Sequence, residues 1–384
     1  MSINLETLTK ELLRLVNIHS YTLNSTEVNA VGEAYQALLT VANLNWEQHI
    51  PKDKGFGNLL VARSQLQDTK LPQIVLTGHL DTVYPEHHQQ NIRIEDRKLY
   101  GPGTIDMKAG LIVMMAVVKE LAASNNLKNL TLILTPDEEQ MQVERFPVMT
   151  ELLRNSTHLM VYEGGPPYEN FSTKKLVVQR KGYLAYQLKA KASGGHSGML
   201  TSPHERHSAI HELIQQSTKI MNAANYELGT SSNIGTISGG TATNALAQSA
   251  NIHFDARVVN QTEFMRMQNL YESLAGSPFD SEVSLEAQCE SAVFPLAHSS
   301  ANQAFFELAQ ASGHKLGFTI SPEFRGGGSD ANRFIYHNPQ LAVLDNLGPT
   351  GEGDHTEEEF VYLDSLLPSI RLSIGIIKSL LLVS

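Results

Sequence analysis

The chain has 384 residues and sets 29 Lys plus Arg against 40 Asp plus Glu, a formal charge of −11 with histidine neutral. That balance argues against a nucleic-acid binder, whose affinity rests on basic patches. With 41% hydrophobic and 18% charged residues the composition is ordinary for a globular protein, and the length suggests two or three domains at about 150 residues each. The one cysteine, Cys289, cannot close an intramolecular disulfide, and the opening MSINLETLTKELLRLVN mixes charges into a stretch that a secretory signal keeps apolar. A cytoplasmic location is the expectation.

From 58 to about 162, the runs GNLLVARS, QIVLTGHL, NLTLILTP and THLMVYE read as strands, alternating with helical stretches at 107–121 and 148–154. Ile74-Val75-Leu76 and Leu132-Ile133-Leu134 are continuously apolar, as strands buried on both faces of a parallel sheet are. After Leu176 the period changes to two: Leu184, Tyr186, Leu188 and Ala190 face one side, and Ala185, Gln187, Lys189 and Lys191 the other. A helix at about 203–223, strands SSNIGTISG and SANIHFDARVV, a helix near 261–274 and a strand EVSLEAQ complete a β-α-β-β-α-β order, which is ferredoxin-like. Beyond Pro295 the α/β pattern resumes with a helix at 301–311, a strand at 340–344 and a final helix. Its apolar tail, 372–384, holds Lys378 and reads as too short for a membrane span. The expected architecture is an α/β domain with a mostly parallel sheet between helices, formed by 1–177 and 294–384. An α+β insertion at 178–293 interrupts it.

Ligands in open α/β sheets bind beyond the carboxyl ends of strands, and that is where chemistry-bearing residues collect. The run QIVLT ends in Gly78-His79-Leu80-Asp81; alone, His-x-Asp reads first as a polar turn, yet a metal-bound histidine commonly gives its other ring N–H to such an acid. Asp106, in GPGTIDMKAG, precedes an apolar helix, where N-capping is the ordinary role. TLILT runs into Pro136-Asp137-Glu138-Glu139, and HLMVY into Glu163-Gly164-Gly165. Four successive strand-like segments thus deliver a histidine or acid at the same kind of position, and crowded carboxylates are costly unless a cation offsets them. His355, in GPTGEGDHTEEEF, is the best-placed second histidine, although a capping loop is an equal reading of Asp354-His355-Thr356.

These residues resemble the di-zinc metallopeptidases that include glutamate carboxypeptidase, acetylornithine deacetylase, succinyl-diaminopimelate desuccinylase and aminoacylase. TGHLDTV, GPGTIDMKAG, the DEE triplet, EGG, GGHSG, GGGSDAN and GDHTEEE occur in that family's order and approximate spacing across nearly the whole chain. The resemblance implies that His79 and Glu163 bind one zinc, that Glu139 and His355 bind the other, and that Asp106 bridges them. Glu138 would be the general base and Asp81 would orient His79. Two Zn2+ against three carboxylates keep net positive charge for polarising a carbonyl, with Co2+ or Mn2+ as substitutes.

The insertion corresponds to the family's lid or dimerisation domain, so a homodimer through the lid is implied. In it, His196 of the GGHSG turn would stabilise the oxyanion in the partner's site, while Asn244 and Arg257 match substrate-binding positions. Arg257 can grip a carboxylate with two prongs where Lys cannot. Gly327 and Gly328 would bring backbone N–H groups to the same ligand, with Arg325 a second clamp or an exposed charge. The implied substrate is a small peptide or N-acyl amino acid, cleaved at an amide next to a free carboxylate. Glu163 resembles the deacylases, whereas GGGSDAN and NLGPTGEGDHT resemble the carboxypeptidases, so both classes stand. Gln140-Met141 after the glutamate pair and PHERHSAI in the lid depart from the family's usual small residues. No G-x-S-x-G elbow supports a serine hydrolase, and a catalytically inactive metal-binding protein would be expected to lose Glu138. His87, His88, His204, His207 and His211 read as solvated, and Met107, Met114 and Met115 as core.

Overall fold

Apolar runs bounded by turns become the strands of one six-stranded sheet in the computed structural model, which describes residues 3–85, 92–202 and 205–382. The strands are β1 (Asn45–His49), β2 (Leu59–Arg63), β3 (Ile74–His79), β4 (Leu130–Thr135), β5 (His158–Val161) and β6 (Ala342–Leu344), in the order β1-β2-β4-β3-β5-β6. β4, β3, β5 and β6 are parallel neighbours. β2 runs antiparallel to β4, and β1 antiparallel to β2. The strand in GNLLVARS is therefore not one of the parallel set. β1 was not expected either: NWEQH is largely polar, as an outer strand with a wet face permits.

Helices α1 (Leu5–Val16), α2 (Ser25–Leu38), α3 (Ala109–Ala123), α4 (Ser300–Lys315), α5 (Asp330–His337) and α6 (Leu366–Leu382) accompany this sheet. Asn4, Asn24 and Ser299 accept from backbone N–H groups at the starts of α1, α2 and α4. α3 is apolar on almost every side because it is buried on almost every side, packed against α1 and α6. Met107, Met114 and Met115 lie in this core. Gly110 lets α3 approach the end of β5, since a Cβ there would stand 2.0 Å from the Tyr162 carbonyl oxygen.

The final helix is longer than the apolar tail suggested. With the turn before it, the segment Leu363–Leu382 is 20 residues long and apolar enough to cross a membrane by length and composition alone. Leu372, Ile376, Ile377 and Leu380 are instead buried in the core, which accounts for the apolarity of a helix packed on α3 and α4.

The chain divides into two compact units. The first comprises Met1–Gln179, His298–Arg325 and Ser329–Ser384 and contains the six-stranded sheet. The second comprises Arg180–Ala297 with Gly326–Gly328. Its antiparallel sheet has Ser231–Gly239 and Ser284–Val293 at the edges, with Ser249–Val258 and Gly182–Lys191 between them. Helices Ala209–Asn222 and Gln261–Ser273 pack on it, so the β-α-β-β-α-β order is realised. The first of these helices begins later than 203, after Ser208, and Pro203 and His204 lie outside the described residues. Gly326–Gly328, expected with 294–384, falls with the second unit, where Arg180 Nη1 donates to the Gly327 and Gly328 carbonyls at 3.0 Å.

Candidate metal centre and catalytic base

Parallel pairing puts the carboxyl ends of β3, β4 and β5 on one edge, with β3 in the middle. His79 is the last residue of β3; Glu138 and Glu139 follow β4, and Glu163 follows β5. The loop before α3 brings in Asp106, and the 355–359 segment brings in His355. His79 Nε2 lies 2.9 Å from Asp106 Oδ1 and 3.8 Å from Glu163 Oε1. His355 Nε2 lies 3.2 Å from Asp106 Oδ2 and 3.0 Å from Glu139 Oε2.

Two groups of donors result, His79–Asp106–Glu163 and Asp106–Glu139–His355, with the ligand atoms in each within 4.8 Å of one another. Each could hold a metal ion, and Asp106 belongs to both. Zinc takes nitrogen and oxygen ligands at about 2.0–2.2 Å in tetrahedral array, which puts neighbouring donors roughly 3.4 Å apart. The observed spacings bracket that value. Asp106 is therefore not an N-cap, and His355, with φ of +61°, turns its ring to two acids rather than capping a helix.

The electrostatics without a cation point the same way. Burial works to lower the pKa of His79, but Asp106, Asp81 and Glu163 outweigh it and hold the imidazole well above its ordinary value. Hydrogen bonds to Asp106 and Glu139 push His355 up to about 11. Burial opposes ionisation of Asp106, yet the two histidines keep its carboxyl below the usual range. Glu138 is raised, chiefly by burial and further by Glu163, Glu139 and Asp330.

Asp81 ties the loop of Glu138 and Glu139 to the histidine. Its carboxylate faces His79 Nδ1 at 3.3 Å and accepts from the backbone N–H groups of Glu138 at 3.1 Å and Glu139 at 3.2 Å. His79 Nδ1 is also 3.0 Å from the Asp81 carbonyl oxygen. Thr22 donates its hydroxyl to the Asp81 carboxylate at 2.8 Å, a partner 59 residues away in sequence.

Next to Glu138, Asp137 is wholly buried between Arg333, whose Nη1 donates at 2.7 Å, and Arg145. Thr135 donates to Asp330 at the start of α5. Neither arginine was singled out in the sequence, where nothing local links 145 or 333 to 137. Glu359 was missed as well. It is wholly buried, and its carboxylate accepts from the N–H groups of Gly103, Ile105 and Asp106. Its position four residues past His355, in the Glu357-Glu358-Glu359 run, was the available signal.

His196 and Asn244 come together in the second unit: Gly195-His196 pairs with Ala245-Leu246, and Ser197 N–H donates to the Asn244 carbonyl at 2.9 Å. His196 is exposed, and its Nδ1 accepts from Gly198 N–H at 3.1 Å. Arg257 lies over the Tyr183 ring with 4.0 Å to the centroid, and its Nε is 3.4 Å from Asp255. Arg325 pairs with Glu323 at 2.9 Å and reaches the Gly164 carbonyl at 3.4 Å, beside Glu163. Gly327 and Gly328 present carbonyls to Arg180, and the Ser329 N–H is taken by Asn332 in the cap of α5. His207 precedes its helix and pairs with Asp280 at 2.9 Å, so it does not form an i, i+4 helical pair with His211. His87, His88 and His204 lie outside the described residues.

Residues 75–379 match the family model described as Peptidase family M20/M25/M40. The chain belongs to this family. Membership makes it a metallopeptidase by class, and the paired donor groups are consistent with a two-metal centre. A Peptidase M20 domain-containing protein of Schizosaccharomyces pombe is 32% identical over 216 residues, a match that takes in 55% of this chain and 49% of that protein, about half its length. Carboxypeptidase G2 of a Pseudomonas species is 23% identical over 379 residues, covering 97% of this chain and 88% of the relative. Among solved structures, the Bacillus subtilis YXEP protein, a dinuclear metal binding peptidase of the M20 family, superimposes with a TM-score of 0.69 at 12% identity, over 98% of this chain and 99% of that one. This last likeness is one of fold.

Proposed function

We propose that this M20-family protein is a two-zinc hydrolase that cleaves an amide or peptide bond adjacent to a free carboxylate, in the manner of a glutamate carboxypeptidase. The observation that carries the reading is the sharing of Asp106 by two donor groups, with Glu138 directly beside one of them in sequence. His79 and Glu163 would hold one ion, Glu139 and His355 the other, and Asp106 both. When bound, the two cations supply Lewis acidity to a carbonyl and make water acidic enough to ionise near neutral pH. Glu138 accepts a proton from the attacking water and returns it to the departing amine, acting as base and then as acid. Asp81, holding the N–H groups of both glutamates, orients that carboxylate.

Arg257 supports the carboxylate requirement. It stacks on Tyr183 and faces Asp255 through Nε, and a planar guanidinium is suited to gripping a carboxylate. The match to carboxypeptidase G2 over most of both chains favours a C-terminal amino acid as leaving group. Glu163, the residue that resembles the deacylases, keeps N-acyl-amino-acid deacylation as the second reading. His196, exposed on the second unit, would reach the oxyanion from the partner of a homodimer.

The test is to supply N-acyl amino acids and dipeptides, acidic ones included, with Zn2+, Co2+ or Mn2+ and to identify the products. Release of a C-terminal amino acid from a peptide supports the carboxypeptidase reading. Cleavage confined to N-acyl amino acids, giving a free acid, replaces it with the deacylase. Activity in protein shown by elemental analysis to be metal-free overturns both.

A further inference from the structure

Asp106 has to present one oxygen to each donor group, and its own backbone is non-helical, with φ of −121° and ψ of 88°, inside the irregular turn Thr104–Lys108 that leads into α3. It lies in the 101–108 loop, where Gly101 and Gly103 take positive φ angles of +149° and +72°. What fixes that loop is Glu359, from the far end of the chain. Its Oε1 accepts from Ile105 N–H at 2.8 Å and Asp106 N–H at 3.0 Å, and its Oε2 from Gly103 N–H and the Tyr84 hydroxyl, both at 2.8 Å. The Gly101 N–H donates to the Glu359 carbonyl at 3.1 Å.

We propose that Glu359 is a positioning residue of the metal centre: by accepting three backbone N–H groups of the 103–106 loop, it holds Asp106 where one carboxylate serves both donor groups. This rests on the two-metal reading above. Three observations favour it over a general structural role. Three of the four donors reach the carboxylate from the loop that carries the shared acid, one of them being the N–H of Asp106 itself. The same 355–359 segment supplies His355, so one stretch delivers a donor of the second group and the support of the acid common to both. A second buried acid beside Asp106 is also unfavourable unless donors and cations offset it. Partners standing behind metal ligands typically carry 10–100-fold of metal affinity.

The decisive variant is Glu359→Gln. An amide keeps the shape but has one acceptor oxygen, so either the Ile105–Asp106 pair or the Gly103–Tyr84 pair then faces an N–H group. Zn2+ affinity is measured by competition with a chromophoric chelator, alongside metal stoichiometry and the thermal midpoint of the metal-free protein. Both ions are expected to bind roughly 10–100-fold more weakly, while Glu357→Gln, an exposed acid of the same run and the control, keeps two ions at wild-type affinity. Wild-type affinity in folded Glu359→Gln, even with a lowered thermal midpoint, overturns the proposal. Weakening of only one ion overturns it too, since Asp106 serves both. If Glu359→Gln does not fold, Tyr84→Phe removes one of the four donors. A several-fold weakening of both ions then upholds the proposal, and unchanged affinity overturns it. Absence of metal from the wild type overturns the two-metal reading and this inference with it, whereas a wild type with two ions and an unaffected variant overturns this inference alone.

Discussion

Glu138 and Glu139 are neighbours with the same side chain, and their surroundings differ. Glu139 faces His355 at 3.0 Å as a donor of the second group, whereas Glu138 is in neither group. Glu138→Gln preserves shape and removes the basic oxygen, so kcat is expected to fall roughly 10²-fold or more with two metals retained by elemental analysis. Near-normal turnover would move the base role elsewhere. A different residue reports on stability. Lys174 is buried, and desolvation, aided by nearby Arg325, lowers its pKa to about 7. The folded state therefore resists a proton that the unfolded chain keeps until pH approaches the ordinary lysine value. The resulting destabilisation is complete below about pH 7 and is relieved as pH rises through the window up to about 10.5. Lys174→Met is expected to be more stable than wild type at pH 7, by at most ~5 kcal/mol, with the advantage shrinking towards pH 10.5. The Gly348 carbonyl that Lys174 contacts keeps the Ser369 hydroxyl as donor. Parallel urea curves at several pH values check this, and a pH-independent difference would show that Lys174 is not the group responsible.

At the scale of elements, the centre is a junction between the sheet and helix α5. Thr135 at the end of β4 donates to Asp330, and Asp137 just beyond accepts from Arg333, so the strand end and the loop after it are both tied to one helix. Removing one partner of a buried pair costs about 3–5 kcal/mol. Arg333→Lys keeps the charge but cannot span the Asp137 carboxylate and its carbonyl, which Arg333 contacts at 2.7 and 3.3 Å. The variant is expected to fold with a lowered thermal midpoint and a kcat reduced about 10-fold, the size of ~1.4 kcal/mol in the barrier. KM and metal content should be unchanged. A lowered midpoint with normal kcat would confine Arg333 to stability. These ties also explain what could be read from sequence and what could not. His79, Glu138, Glu139 and Glu163 follow apolar strands, and parallel strands share an edge, so their convergence follows from local pattern. Thr22, Arg333 and Glu359 act on residues 59, 196 and 253 or more positions away. Nothing in their own neighbourhoods marks such partners. The period-2 alternation of 184–191 foretold the alternating burial of this strand from Tyr186 on, though Ala185, read on the wet side, is buried, and the polar outer strand β1 offered no apolar signal.

At the scale of the whole molecule, the donor groups and Glu138 lie in one unit, and His196 and Asn244 in the other. The proposed homodimer makes this division functional, with each site completed by His196 of the partner subunit. A hydrogen-bonding group aimed at charge developing in the transition state contributes to the barrier more than to substrate affinity. His196→Ala is thus expected to lower kcat with little change in KM and with both metals retained. Mixing Glu138→Gln chains with His196→Ala chains gives the sharper test. Each homodimer is impaired at both sites, by lack of the base in one case and of the histidine in the other. In a hybrid, the site on the His196→Ala chain keeps its own Glu138 and borrows an intact histidine, while the other site has neither. Equal mixing with complete exchange makes half the two-fold dimers hybrids, so roughly one site in four should regain activity. Exchange is followed by mass spectrometry of the intact dimers, and activity should rise in step with the hybrid fraction. Hybrids that form without any gain in activity would remove His196 from the partner's site, and a protein that is monomeric at assay concentration would remove the homodimer from the proposal.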